Sequence, residues 1–311
     1  MILEGGSIVI QQIIILFLMI GLGVVAAHFG LLKEEGTRQL TELLLIIITP
    51  CVIIMAFQLS FERSLIKNIL IAAFLGALTP TIGIFVSKLF FRNTSLERNV
   101  MLRYATIFYN SGFFSLPLIR AFFGNTGALY GSVFIGVINI FFWTYGVYLM
   151  TGKKNASKLK TFLNPGTIAV LIAITLVLLK IKLPGIIHST LTYIAGMHTP
   201  LAMMIIGSQF YLYKQDFKLL DGSLWKTVLT RNIIVPLIML LLNYYLVEDK
   251  TLYFTSVIIA AAPTATNTVL FATKFKQDVS TAIQTVMLTT VMTIFTIPLI
   301  MGLAMLLKGS L

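Results

Sequence analysis

The sequence predicts an all-α integral membrane protein whose ten transmembrane helices form two inverted repeats of five. Three observations support this prediction. Hydrophobic residues make up 58% of the 311 residues, charged residues make up 11%, and the mean hydropathy is +0.95. A soluble domain of this length needs far more charge on its surface. Apolar stretches follow one another along the chain, and one polar connection divides them into two sets of five.

Each apolar stretch is close to the roughly 20 residues that a helix needs to cross a bilayer. The first stretch is interpreted as a spanning helix and not as a signal peptide, because it carries Glu4 and has no basic leader. The sixth is the shortest, and Lys180 and Lys182 flank its end. The predicted spans are residues 7–29, 39–59, 66–90, 100–122, 126–150, 165–181, 186–212, 224–246, 252–274 and 280–307.

The longest polar connection has the sequence TGKKNASKLKTFLN and predicts the division of the chain. Residues 1–150 form the first repeat, 151–164 a cytoplasmic linker, and 165–311 the second repeat. With five spans in each half, the two halves enter the membrane in opposite directions, as an inverted repeat requires.

Weak internal similarity supports the repeat. A Thr-Pro pair in span 2, Thr49-Pro50, recurs in span 7 as Thr199-Pro200. Spans 3 and 8 each hold a proline near the middle, Pro80 and Pro236. These matches occupy corresponding places in the two halves.

The basic residues predict the orientation. Of the 23 Lys and Arg residues, 15 lie in or near the loops that join odd-numbered to even-numbered spans, 7 lie on the opposite side, and Arg231 lies inside span 8. The positive-inside rule places the richer side in the cytoplasm and both termini outside, in a multi-pass protein of the cell (inner) membrane. The net charge of +12 is thereby explained by topology. No basic, aromatic-interleaved domain indicates a nucleic-acid partner.

Polar residues and prolines interrupt spans 4 and 9 near their midpoints. Proline removes a backbone donor, and freed backbone groups at membrane depth are tolerated only beside protein or a wet cavity. Asn110 lies roughly 15 Å into span 4 at about 1.5 Å per residue, which is half of a core roughly 30 Å thick. We therefore predict that two broken helices cross near the midplane and form the substrate site. The predicted substrate-binding residues are Asn110, Ser111, Gly112, Pro117, Pro263, Thr264, Thr266 and Asn267.

The chemistry of this site favours an anion. Helix N-termini present unpaired N–H groups and partial positive charge, and Asn110 and Asn267 add amide donors. No Asp or Glu lies at mid-depth in any predicted span, whereas a cation transporter usually has one. The predicted partners are a small anionic substrate, most simply a carboxylate, and the lipid bilayer. No metal-ligand spacing occurs around the single Cys51, and no cofactor is expected.

The coupling ion is left open as H⁺ or Na⁺. His198 is the only titratable side chain near mid-depth and could carry a proton, although a neutral histidine bonded within the bundle explains it equally. We expect a coupling or scaffold contribution from His198, Thr199, Pro200, Thr49 and Pro50. Arg120 could steer anions, but both Arg120 and Arg231 are interpreted as snorkelling, topology-setting residues.

The sequence predicts a secondary transporter, a permease that moves a small organic anion across the membrane, and two other functions fit parts of the same pattern. A sodium-coupled organic anion symporter of the bile-acid carrier type shares this general architecture, and sodium-dependent uptake would identify it. A membrane receptor or intramembrane enzyme is a more remote alternative. An enzyme needs a nucleophile with a base, or a metal cluster, and the three histidines and the lack of midplane carboxylates supply neither.

Several short motifs, in order along nearly the whole chain, resemble the auxin efflux carrier family. Its Asn-initiated crossover motif resembles Asn110-Ser-Gly-Phe-Phe-Ser-Leu-Pro117, and the Asn-Pro opening its second half resembles Asn164-Pro165. The further matching stretches are Pro200–Gly207, Arg231–Pro236, Ala261–Pro263, Phe271-Ala272 and Pro298. Gly166 stands where plant carriers have a second Asn, and their long cytoplasmic loop has no counterpart. The sequence therefore resembles bacterial, malate permease-type members more closely.

The resemblance implies an NhaA-like or bile-acid-symporter-like fold in which helices 4 and 9 are broken and cross. It implies a scaffold of helices 1, 2, 6 and 7 and a transport domain of helices 3–5 and 8–10. It also implies elevator-type movement, a homodimer, and a role for Asn110 in binding a carboxylate.

Overall fold

The computed structural model describes residues 2–58, 64–92, 96–152, 165–179, 181–214 and 221–309. Residues 153–164, which make up most of the predicted linker, lie outside this part. Within the described ranges the chain is helical and forms no strand; Tyr109 and Thr264 make one isolated antiparallel bridge.

The helices fall within or around the ten predicted stretches. The fourth, seventh and ninth stretches each contain two helices. In chain order they are α1 (Ile2–His28), α2 (34–57), α3 (Ser64–Phe90), α4 (Leu96–Ile107), α5 (111–123), α6 (125–151), α7 (Pro165–Leu178), α8 (Gly185–Gly196), α9 (His198–Leu212), α10 (Gly222–Leu246), α11 (Lys250–Ala260), α12 (Asn267–Lys274) and α13 (Val279–Lys308).

Four of the described helices contain a widened, π-helical turn; the turn at Phe142–Gly146 in α6 precedes no proline, and each of the other three ends two residues before one. A proline ring clashes with the carbonyl four residues earlier and offers no N–H, so the preceding turn widens to accommodate it. These three turns are Leu44–Ile48 before Pro50, Ser111–Ser115 before Pro117, and Leu229–Ile234 before Pro236. The prolines therefore adjust these helices without ending them.

Gly124 separates α5 from α6. Its backbone has φ 55° and ψ −137°, a conformation that favours glycine. Without this break, the 41 residues of Ser111–Thr151 would form a helix roughly 60 Å long, about twice the thickness of a hydrocarbon core. Instead α6 folds back along α5, so that a Cβ atom added at Gly131 would lie 3.1 Å from Leu116.

Six helical stretches of the described chain are long and apolar enough to cross a membrane. Their surfaces suit a bilayer, because large apolar side chains such as Leu18, Leu70 and Phe85 are about two-thirds exposed. The six stretches are Ile10–His28, Glu34–Met55, Ile66–Phe90, Ser111–Thr151, Gly222–Leu246 and Val279–Lys308. The chain is accordingly a multi-span membrane protein.

Contacts between loops and helix ends define two faces. On face A, the Tyr213 hydroxyl donates to Glu34 at 3.2 Å, and the Gln277 amide donates to the carbonyl of Met150 at 2.7 Å. Arg98, near the start of α4, forms an ion pair with Asp221, which caps α10. Burial acts to raise the pKa of Asp221, but hydrogen bonds from Arg98 and the Ser223 N–H outweigh it and lower that pKa.

Face B lies at the opposite helix ends. Lys67 lies 3.4 Å from the Glu248 carboxylate, and the Lys308 ammonium donates to the carbonyl of Tyr244 at 3.5 Å. The backbone N–H of Leu183 donates to the side-chain oxygen of Gln58 at 3.0 Å. This face therefore gathers the end of α2 and the starts of α3, α8 and α11.

Helices α1 and α9 approach through two glycines. A Cβ atom at Gly207 would lie 1.9 Å from the carbonyl oxygen of Ile20, and one at Gly23 would lie 2.2 Å from that of Met204. Small residues at such contacts let two membrane helices bring their backbones together. Beside this contact the hydroxyls of Thr37 and Ser208 are 3.0 Å apart, which ties α2 to the same helix pair.

Replacing Gly207 with alanine should separate α1 from α9. The new methyl group meets backbone atoms that cannot rotate away, so we expect a cost of about 1–3 kcal/mol and a lower melting temperature in detergent. Gly21→Ala is the matched control, because a Cβ atom at Gly21 meets nothing within 4 Å. Equal melting temperatures for both variants would contradict the close contact.

Candidate functional site

The two broken helices cross where their chains are extended. The first break lies between α4 and α5, and the second lies between α11 and α12. The N–H of Asn110 donates to the carbonyl of Pro263 at 2.8 Å, and the N–H of Ala265 donates to that of Phe108 at 3.0 Å. Each break therefore satisfies backbone groups that the other leaves unpaired, which is what an apolar interior demands.

The carbonyl ends of α4 and α11 receive donors from side chains. The hydroxyl of Thr264 donates to the carbonyl of Ala105 at 2.9 Å, and its own N–H donates to the Thr289 hydroxyl at 3.1 Å. The guanidinium of Arg231 donates to the carbonyl of Thr106 at 3.3 Å and also to that of Ala260. One cation thus binds the C-terminal turns of both half-helices, where the helix dipole is negative.

The interpretation of Arg231 as a snorkelling residue is wrong. Its side chain is fully buried and lies 5.6 Å from the centre of the Tyr109 ring, at the crossing itself. Snorkelling would need its head group in water or at the interface. The signal in the sequence was a charged residue five positions before Pro236, inside an apolar span, and an intramembrane charge indicates function by default.

At the other ends of the breaks, the N-termini of α5 and α12 lie beside one another. The side-chain oxygen of Asn110 accepts from the N–H of Phe113 at 3.1 Å and so caps α5. Its amide nitrogen donates to the hydroxyl of Thr266 at 3.2 Å, across to the start of α12. The side-chain oxygen of Asn267 is buried and has no partner among the described residues.

These N-termini open into a small cleft. Its polar lining comes from α2, α5, α6 and α12, and aromatic rings of Tyr109, Phe113 and Phe142 form much of the remainder. None of the described residues that line it is charged. The polar side chains in the lining are those of Thr49, Asn110, Ser111, Asn139, Thr266 and Asn267.

Five of the eight predicted substrate residues line the cleft, namely Asn110, Ser111, Gly112, Thr266 and Asn267. Pro117, Pro263 and Thr264 are buried near it but do not line it. Pro117 also does not interrupt its helix, since the break spans residues 108–110 and the proline occupies the first turn of the α-helical part. Thr264 supports the crossing through its hydrogen bonds. Asn139, on α6, is a lining residue that the sequence did not single out.

Of the residues expected to contribute from the scaffold, one lines the cleft and the others do not. Thr49 lines the cleft, whereas Pro50, Thr199 and Pro200 do not. His198 is buried, and its ring meets that of Phe113 edge-on with 6.2 Å between centres. Its Nε2 atom has no partner within the described structure.

Bundled apolar helices that surround a cleft at a backbone crossing define an integral membrane transporter. Comparison with known proteins agrees. A family model described as "Membrane transport protein" matches residues 8–301. The chain belongs to this family, which confirms the resemblance to the auxin efflux carriers. It is a transporter and not an enzyme.

Two archaeal relatives are similar over nearly their full lengths. One, from Methanothermobacter thermautotrophicus, is 22% identical and covers 96% of this chain and 98% of its own. The other, from Methanocaldococcus jannaschii, is 25% identical and covers 92% of this chain and 96% of its own. Both are described as uncharacterized transporters.

Removing the charge of Arg231 should destabilise the crossing. Arg231→Met leaves the carbonyls of Thr106 and Ala260 without donors, and hydrogen bonds from charged groups are worth about 1.5–3 kcal/mol each. We expect a clear fall in melting temperature, partly restored in Arg231→Lys. Lys226→Met on the exposed side of the same helix is the control and should melt like the wild type. An unchanged Arg231→Met variant would show that the guanidinium does not hold the half-helices together.

Proposed function

We propose that this transporter carries a small carboxylate, which binds in the cleft at the crossing. The observation that supports this is the pair of helix N-termini, α5 and α12, facing one uncharged cleft. The first N–H groups of a helix have no partner within it, and the dipole adds partial positive charge. Such termini bind anions without a basic side chain.

The shape of the cleft favours a small substrate with an apolar or hydroxylated body. Donors gather where α5 and α12 begin, and aromatic rings also line the cleft. A carboxylate at the donors would place the rest of the molecule against Tyr109, Phe113 and Phe142. A second charge would have to lie against these rings or reach the hydroxyl of Thr49, so we rank monocarboxylates ahead of dicarboxylates.

We further propose ten membrane-crossing helices in two inverted repeats. On this proposal α4 with α5 and α11 with α12 form the broken helices 4 and 9. The scaffold comprises α1, α2 and α7–α9, and the transport domain comprises α3–α6 and α10–α13. Supporting observations are the glycine contact between α1 and α9 and the attachment of α4 to α10 by Arg231 and by Arg98. Elevator-type movement of the transport domain within a homodimer completes the proposal, and light scattering in detergent would detect a monomer if the dimer is wrong.

Face A is proposed to be cytoplasmic and both termini extracytoplasmic, since the basic residues concentrate in the loops of that face. Cys51 is buried, so a Cys51→Ala chain with one new cysteine reports accessibility cleanly. A cysteine at Lys33 should react with an impermeant maleimide only after the cells are opened, and one at Glu248 should react in intact cells. The opposite pattern would invert the topology.

A sodium-coupled symporter of the bile-acid carrier type is the second candidate. Against it, no described residue lining the cleft is acidic, and Arg231 already supplies a cation to the carbonyl ends of α4 and α11. Uptake into proteoliposomes with Na⁺ replaced by K⁺ would decide between the two. A proton gradient imposed in the same vesicles would test the remaining coupling ion.

The binding site is tested by melting curves with lactate, malate and acetamide, the last being a neutral amide. The wild type should be stabilised by at least one carboxylate and not by acetamide. Asn110→Ala should weaken the binding of that carboxylate by about one to two orders of magnitude, because charge-assisted hydrogen bonds contribute about 1.5–3 kcal/mol and each decade corresponds to about 1.4 kcal/mol. It should also lose roughly 1 kcal/mol of stability with the helix cap.

Two further variants separate binding from stability. Asn267→Ala should weaken binding without a fall in melting temperature, since the Asn267 side-chain oxygen has no described partner to lose. Asn68→Ala is the matched control, because the Asn68 amide donates to the Tyr130 hydroxyl at 3.0 Å and Asn68 does not line the cleft. Normal carboxylate binding in both Asn110→Ala and Asn267→Ala would exclude the cleft as the site.

A further inference from the structure

A second cavity lies between the cleft and face B. It is larger than the cleft and is bounded by the ends of α2 and α5 and the starts of α6 and α8. Its lining is polar and basic where the cleft is polar and uncharged. The polar side chains are those of Gln58, Arg120, Asn125, His188 and Thr192.

Arg120 gives this cavity its charge. It is exposed, and no described carboxylate lies within ion-pairing distance of it. None of the described lining residues is acidic. The side-chain oxygen of Gln58 accepts from the N–H of Leu183, which leaves its NH₂ group as the free, donating end. The cavity therefore offers a guanidinium and an amide donor to an occupant, and none of its described lining residues is an anion.

The cavity and the cleft lie along the same helices. Val52, in the cavity lining, is three residues from Thr49 in the cleft, which is roughly 4.5 Å along α2. Between the two spaces lies the contact of Phe113 with His198. Phe113 lines the cleft, and His198 follows the cavity residue Ala195 by three positions. The Phe113–His198 contact thus lies close to both the basic cavity and the helix N-termini.

We propose that the face B cavity is a second anion-binding site, at which the carboxylate of the transported molecule binds to Arg120 before it passes the Phe113–His198 contact, or after it has passed. This inference rests on the proposed function. A partly exposed cation at such a place raises the local concentration of anions and speeds their association, and added salt weakens the effect. It predicts a dependence on Arg120 that is confined to one side of the membrane.

The test measures transport by the full-length protein in proteoliposomes. Proteoliposomes that hold the protein in one orientation are selected by a label on one face of the protein. Radiolabelled lactate and malate are the probes, presented at neutral pH to either face. Arg120→Gln should raise the half-saturating concentration about threefold to tenfold when the probe is presented to face B, and leave it unchanged at face A. The difference should shrink at high salt, and Arg120→Lys should retain most of the wild-type affinity.

Lys182→Gln is the matched control. It removes one positive charge from the same face, but Lys182 does not line the cavity. Equal behaviour of Arg120→Gln and Lys182→Gln, or an equal loss at both faces, would overturn the second site. Failure of the wild type to transport either probe would instead count against the proposed function.

A lipid phosphate is the other possible source of an anion at Arg120. The assay is therefore repeated in phosphatidylcholine vesicles with and without phosphatidylglycerol. A one-sided loss that persists in phosphatidylcholine alone supports the substrate site. A loss that appears only with the anionic lipid would assign the cavity to a headgroup and overturn the proposal.

Discussion

Backbone hydrogen bonding at the crossing is the constraint on which the rest of this structure depends. Two helices stop within an apolar bundle, where an unpaired N–H or C=O costs several kcal/mol. The antiparallel bridge between Tyr109 and Thr264 lets the two interruptions satisfy one another. Neither break would be tolerated alone, so the two halves of the chain need each other to fold. The site is therefore a property of both halves and of neither separately.

The crossing also separates the negative ends of its four half-helices from the positive ends. Its carbonyl ends converge on Arg231, and its amide ends converge on the cleft. Arg231 neutralises the negative ends of the α4 and α11 helix dipoles. The positive ends of the α5 and α12 dipoles remain available to a bound molecule. The anionic substrate proposed above would then need no basic residue within the cleft.

Much of this architecture could be predicted because its signals are local. Apolar runs of spanning length set the helix positions within a few residues, and Asn110 and Pro263 marked the two breaks. Asn110, Ser111, Gly112, Thr266 and Asn267 do lie at one cleft. The partners of Arg231 could not be predicted, since they are carbonyls more than 25 residues away in the sequence and carbonyls leave no pattern there.

Other features escaped prediction for a different reason, which is that one residue type serves several structural purposes. The amide of Asn110 is divided between capping its own helix and holding Thr266, so it is a structural residue as well as a candidate ligand. In the sequence Pro117 indicates a helix break. In the structure the wide turn before it makes room for the proline ring, and the helix continues. Gly124 does interrupt the helix. Its backbone angles distinguish it from the glycines that pack against neighbouring helices.

The two cavities suggest how a rigid crossing can serve a moving substrate. The cleft is held by backbone hydrogen bonds and a buried guanidinium, which do not rearrange without exposing unpaired groups. The partition between cleft and cavity is different in kind, because the Phe113–His198 contact consists of two side chains on separate helices with no hydrogen bond between them. Dispersion contacts of this sort are individually weak and can be remade after a small displacement. The elevator movement proposed above would then occur at the surface between α5 and the α8–α9 pair, and the crossing would be carried along intact.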